Sequence, residues 1–123
     1  MLDGNISNLI YWMVGEKSRY TVTVMEYLQV SILATAEGYF ATLPTEEQIK
    51  ISADITRMQF GQFESVYTKQ LKGAVRELLV THHRILYFII DNRLYVVSGF
   101  RKKTSKTPKA KIEYAEKIYK ILK

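Results

Sequence analysis

The chain has no cysteine in its 123 residues. That excludes a disulfide framework, a thiolate nucleophile and any cysteine-based zinc site, and it fits a reducing compartment. Proline is scarce as well. The two present, Pro44 and Pro108, stand where helices would begin, and no Pro-rich linker, repeat or low-complexity tract divides the sequence. A length of 123 residues with 47% apolar content suffices for one core, so a single domain over residues 1–123 is expected, with 1–19 as an extra segment of unassigned role. Long hydrophobic runs are missing too. The apolar stretch from Ile6 to Val14 has no preceding Lys or Arg and is too short to cross a bilayer, so neither a signal peptide nor a membrane helix is expected. The cytoplasm is the expected location, with no membrane partner.

Acid is what the last quarter lacks. Residues 101–123 carry nine Lys/Arg against two Glu, a net of +7, while residues 1–100 carry nine against ten acids, a net of −1; together they give the overall +6. A basic excess gathered beside one strand end is the footprint of a polyanion-binding site, and nucleic acid is the polyanion it fits best.

Pattern divides the chain into a strand, a helical region, three strands and a helix. Tyr20 to Tyr27 (YTVTVMEY) is β-branched and aromatic and reads as a first strand. Ser31 to Phe40 and Thr45 to Phe60 read as a helical hairpin broken near Pro44, with Glu46 and Glu47 in the second helix's first turn and Gly61 closing it. Arg84 to Ile90 (RILYFII) and Leu94 to Val97 (LYVV) flank Asp91-Asn92, a two-residue turn that makes a β-hairpin. Regular pairing from that turn sets 90 against 93, 88 against 95, 86 against 97 and 84 against 99, with His82 opposite Arg101. Arg84 then shares a face with Arg101 and with Glu77 or Leu79. Thr107 is a plausible N-cap and Pro108 a first helical residue, followed by the apolar stripe Ile112, Ala115, Ile118 or Tyr119, and Leu122.

Several segments resemble the HigB-like, phage-derived branch of the RelE/ParE toxin superfamily. They are LKGAVREL at 71–78, RILYF at 84–88, GFRKKTSKTP at 99–108 and IEYA at 112–115. The strong match covers about two-fifths of the chain; LPTEEQIKISADI at 43–55 is similar more loosely, and residues 1–19 match nothing. The resemblance implies an α+β fold, a RelE-like twisted antiparallel sheet with an N-terminal helical hairpin and a C-terminal helix. It also implies ribosome-dependent cleavage of messenger RNA by a toxin held in check by a cognate antitoxin, often one with a helix-turn-helix domain, in a bacterial or prophage setting. Two positions depart from the family pattern: Leu79 stands where relatives generally carry arginine, and Ser98 where they often carry histidine.

A metal-independent ribonuclease makes the ribose 2′-hydroxyl attack its neighbouring phosphorus, so it needs a proton acceptor, a proton donor and fixed positive charge. Arg84, Arg101 and Lys102 are the expected catalytic cations, and His82 or His83 the expected acid or base. Lys103, Lys106, Lys109 and Phe100 are the expected RNA contacts. Plainer roles stand beside these: Arg84 closing a strand end through Glu77, the histidines as solvated turn residues, the lysines as an exposed loop. Tyr87 and Phe88 are expected in the core; Tyr114 and Tyr119 cover the sheet or meet the antitoxin. No metal or other cofactor is expected, because adjacent histidines on a strand point apart and no third ligand is evident. The alternatives to an mRNA nuclease are a ParE-like inhibitor of DNA gyrase, a degenerate homologue that only binds RNA or antitoxin, and a transcriptional partner of an antitoxin.

Overall fold

Residues 27–123 are described by a computed structural model. Its centre is β4 (His83–Ile90), whose first six residues are all buried. A strand buried on both faces must have a layer on each side, and here these are a helical hairpin and a lone helix. The chain runs β1 (Gln29–Ile32), α1 (Ala34–Ala41), α2 (Thr45–Gln59), a short 3-10 turn, β2 (Tyr67–Lys72), β3 (Val75–Val80), β4, β5 (Arg93–Arg101) and α3 (Lys109–Leu122). The spatial order of strands is β1-β5-β4-β3-β2, antiparallel throughout except that β1 runs parallel to β5.

One core lies between the sheet and the hairpin. Ile51, Ile55 and Met58 of α2 and Ala36 of α1 pack there against Leu78, Val80, Ile85, Tyr87, Leu94 and Val96. A smaller core on the opposite face joins Ala115, Ile118 and Tyr119 of α3 to Val75, Leu86, Phe88 and Val97. Tyr87 and Phe88 are thus both core residues, one for each face. The α+β architecture with its hairpin and terminal helix agrees with the sequence reading.

Four local expectations need correction. Ser31 to Ile32 belongs to β1 rather than to a helix, because its backbone pairs with Tyr95 and Val96 and α1 starts only at Ala34. β2 is a strand that the pattern concealed: YTKQLK is a largely solvated edge, with no buried residue to reveal it. Thr107 does not cap α3, since its hydroxyl is turned to Glu77 and Arg84; the first turn of α3 is bonded instead to the carbonyl of Pro108. The β4–β5 pairing holds only near its turn. Ile90 faces Arg93 and Phe88 faces Tyr95, but β5 has one surplus residue, Val97, between the pairs Tyr87–Val96 and Leu86–Ser98. Beyond this bulge Arg84 lies opposite Phe100, and His83, not His82, lies opposite Arg101. The first strand expected at Tyr20–Tyr27 falls, apart from Tyr27, outside the described residues.

Both ends of α2 follow the sequence. Pro44 precedes α2 and its carbonyl accepts from Glu47 and Gln48, while Gly61 adopts a φ of 78° just past the end of the helix. The Gln48 side chain donates to the carbonyls of Phe40 and Leu43, which ties the end of α1 to the start of α2. This linkage brings Tyr39 and Glu47 to the same end of the sheet.

Candidate active site and nucleic-acid interface

The bulge at Val97 distributes the basic residues between two faces. Arg101 and His83 point toward the helical hairpin, whereas Arg84 and Phe100 point toward α3, so the expected common face for Arg84 and Arg101 does not form. They meet instead around the end of the sheet, where both line one cleft.

On the hairpin side the first turn of α2 presents Glu47, and a single carboxylate oxygen, Oε1, gathers three cationic or basic neighbours. His83 Nε2 lies 2.5 Å away, His82 Nε2 3.3 Å and Arg101 Nη2 3.9 Å. The bond from His83 and the nearby charges of His83, His82 and Arg101 hold the Glu47 carboxyl below its ordinary range, against a smaller desolvation effect. The other ring nitrogen of His83, Nδ1, is 2.5 Å from the hydroxyl of Tyr39. An ionised carboxylate can only accept, so Nε2 carries a proton toward Glu47, and Nδ1 accepts from the phenol whenever the ring holds that proton alone. Burial raises the pKa of Tyr39, with Arg101 pulling it down and Glu47 pushing it up. Carboxylate, imidazole and hydroxyl therefore stand in a chain, an order in which the ring can take up or return the hydroxyl proton while the carboxylate fixes its tautomer.

His83 is 1% exposed, so it is no solvated turn residue; His82, 48% exposed at its side chain, sits in the two-residue β3–β4 turn beside Thr81, whose φ is 52°. Because His82 is in the turn, strand alternation does not separate it from His83. Their ring centroids are 4.5 Å apart, and the expectation that the two imidazoles diverge fails for that reason. Tyr39 is held against the sheet by Gly99: a Cβ there would lie 2.6 Å from the ring carbon Cδ2 of Tyr39. The close approach requires glycine.

On the α3 side Arg84 is 3% exposed, and both of its Nη atoms are engaged with the loop that follows β5. Nη1 donates to Thr107 Oγ1 at 2.9 Å, Nη2 to the carbonyls of Thr104 and Ser105 at 3.0 and 3.1 Å, and Glu77 Oε2 lies 3.6 Å from Nη1. Thr107 in turn donates to Glu77. Arg84 thus pairs with Glu77, as its plainer reading foresaw, and its remaining contacts, which were not foreseen, fix the loop that carries the lysines. Leu79, at the position usually arginine in the resembling family, is its direct cross-strand neighbour. Ser98 is buried on β5 with an unpartnered hydroxyl, opposite Leu86.

The cleft between these two sides has a volume of about 350 Å³. It is lined by Tyr39, Phe100, Arg84, Arg101, Lys102, Lys103, Lys106 and Lys111, with Thr104 and Pro108, and among the described residues no acid lines it. Six cations around one small volume suit an anion with several oxygens. Lys102 extends the sheet by donating its N–H to the carbonyl of His82 at 2.7 Å, and the ammonium of Lys111 lies 5.5 Å from the centre of the Phe100 ring. Lys109 faces a different depression, beside Lys72, Glu113 and Glu116. Of the residues foreseen, the structure therefore brings Arg84, Arg101, Lys102, Lys103, Lys106 and Phe100 to one cleft, with His83 reaching it through Tyr39, His82 beside Glu47, and Lys109 apart. Tyr39, Glu47 and Lys111 were missed. Glu47 had a plain local explanation as an acid in a first helical turn, and Tyr39 had no pattern of its own.

Comparison with known proteins gives the fold a lineage. The model of a family described as phage-derived protein Gp49-like (DUF891) matches residues 38–120. No curated protein matches the chain at a significant level. Among solved structures, RelE in the archaeal RelE–RelB complex of Pyrococcus horikoshii superposes with a TM-score of 0.58 at 11% identity, covering 64% of this chain and 99% of that one. The RelB–RelE complex of Methanococcus jannaschii gives 0.51 at 13% identity, with 69% and 95% covered. The isolated E. coli RelE toxin gives 0.51 at 13% identity, with 75% and 98% covered. Among the described residues no helix is long and apolar enough to cross a membrane.

Proposed function

The chain belongs to the phage-derived Gp49-like family and carries the RelE-like fold, and from that premise we propose that it is the toxin of a type II toxin–antitoxin pair, a ribosome-dependent, metal-independent mRNA endoribonuclease of the cytoplasm. The observation that carries this reading is a cleft lined by six cations, onto which a Tyr39–His83–Glu47 proton chain opens. In the reaction the 2′-oxygen bonds to phosphorus and the bond to the 5′-oxygen breaks. One group must take the 2′ proton, and one must protonate the leaving oxygen.

Tyr39, backed by His83, is the group placed to exchange a proton in the cleft. Arg101, half-exposed, and Lys102 neutralise the phosphorane oxygens; Lys103, Lys106 and Phe100 hold the flanking nucleotides. Arg84 acts on the substrate chiefly through the loop it clamps. The partners in this reading are mRNA on the ribosome and a cognate antitoxin, the latter supported by relatives solved as RelE–RelB complexes.

A second reading, a toxin homologue that binds RNA or antitoxin without cutting, rests on Leu79 beside Arg84 and on both Nη atoms of Arg84 being taken up by the loop. A ParE-like gyrase inhibitor is the further alternative. Induced expression separates them. The nuclease predicts translation arrest with internally cut messages, and Tyr39→Phe or Arg101→Ala should each lower cleavage by roughly a hundredfold or more while the protein stays folded. Intact messages during arrest, or undiminished cleavage in both variants, would reject it; damaged DNA with intact messages would favour gyrase.

A further inference from the structure

Glu47, His82 and His83 form a cluster that the nuclease chemistry uses only in part. The Tyr39–His83–Glu47 chain accounts for two of the three, yet His82 is also turned to the same carboxylate oxygen. Each of the three offers one ligand atom, and these atoms lie within 4.8 Å of one another. We infer that these residues form a binding site for a divalent ion of the zinc class, and that the ion switches the toxin off.

Two imidazoles and a carboxylate are the donor set of open tetrahedral zinc sites, with ligand bonds of about 2.0 to 2.2 Å and hence donor atoms about 3.3 Å apart. The Glu47–His82 separation of 3.3 Å already meets that spacing, and the Glu47–His83 contact of 2.5 Å has to open by about 0.8 Å to reach it. When His83 coordinates through Nε2, its proton resides on Nδ1, which then donates to Tyr39; an outer partner of this kind fixes the ring of a metal-bound histidine. Among the described residues, Arg101 is the group that opposes a cation there. Its guanidinium, 53% exposed and 3.9 Å from the carboxylate, is at the weak end of contact and free to turn into solvent.

The inhibitory half of the inference rests on the nuclease reading. An ion on His83 and Glu47 reverses the direction of the Tyr39–His83 hydrogen bond, so Nδ1 no longer accepts the phenol proton, and it displaces Arg101 from its place beside Glu47.

The test is titration of the purified full-length chain, freed of metal, with Zn²⁺ by calorimetry and with Co²⁺ by visible absorption. One ion should bind per chain with the absorption of a nitrogen- and oxygen-ligated tetrahedral site. His82→Ala, at a half-exposed turn position that the fold tolerates, should weaken binding by more than the roughly tenfold to hundredfold expected for loss of an outer-shell partner, and Glu47→Gln should do the same. Absence of binding, or binding that survives both substitutions, overturns the site and leaves the nuclease reading standing. RNA cleavage measured in parallel should stop with Zn²⁺ and return with chelator. Tight binding at these residues with unimpaired cleavage would overturn the switch, and with it the role given to Tyr39 and His83.

Discussion

At the scale of single residues, the site turns on how completely each polar group is committed. Arg84 spends its guanidinium on Thr104, Ser105, Thr107 and Glu77, leaving only Nε without a partner, so its removal is foremost a structural event. Glu77, 1% exposed, would lose the one cation that lies within contact distance of it among the described residues. Arg84→Ala should therefore destabilise the fold by about 3 to 5 kcal/mol, measurable as a lower denaturant midpoint, because truncating one member of a buried pair strands the other. Replacing both, Arg84→Met with Glu77→Leu, should recover much of that loss while leaving the basic loop poorly positioned. Equal stability of the single variant and the parent would contradict the clamp. Arg101 presents the opposite case: with one long contact and half its side chain in water, it is available to a ligand, and its loss should be felt in function rather than in folding.

At the scale of elements, the decisive features are those that shift a strand by one residue or let a helix come close. The Asp91-Asn92 turn, with Asp91 at a φ of 54°, was legible, as were Pro44, Gly61, the apolar β4 and the stripe of α3. The bulge at Val97 was not. Every residue from Tyr95 to Val97 is apolar, so nothing in the pattern marks which one is surplus, and the error propagated to every pairing beyond it. Edge strand β2 was hidden for the converse reason, since a solvated strand lacks the apolar alternation that betrays one. The site suffered likewise: the cationic half was written in a contiguous run, whereas Tyr39, Glu47 and His83 come from three elements and meet only in the fold. Gly99 is where α1 and β5 touch. Gly99→Ala should push the Tyr39 ring off the sheet and away from His83, costing about 1 to 3 kcal/mol of stability and most of the cleavage, with RNA binding largely retained. A folded Gly99→Ala protein with full cleavage would show that Tyr39 can move without consequence.

At the scale of the whole molecule, charge is divided much as the sequence divides it. Of the nine cations in residues 101–123, Arg101, Lys102, Lys103, Lys106 and Lys111 line the cleft at one end of the sheet, while residues 1–100 carry a net of only −1. Binding to single-stranded RNA should weaken with salt at a log-log slope of about −0.7 per phosphate neutralised. A slope near zero in filter binding or fluorescence titration would remove the electrostatic basis of the cleft. Arg101→Ala and Lys103→Ala should each reduce the slope by about the share of one phosphate.

Tyr39, His83 and Glu47 belong to α1, β4 and α2 in turn, so the proton chain is also a fastening between the hairpin and the sheet. A protein that gripped the hairpin from outside and eased it from the strands would part these three groups while leaving every lysine of the cleft uncovered. Silencing by such leverage would be recognised by an RNA-binding step that survives intact in a complex that no longer cuts.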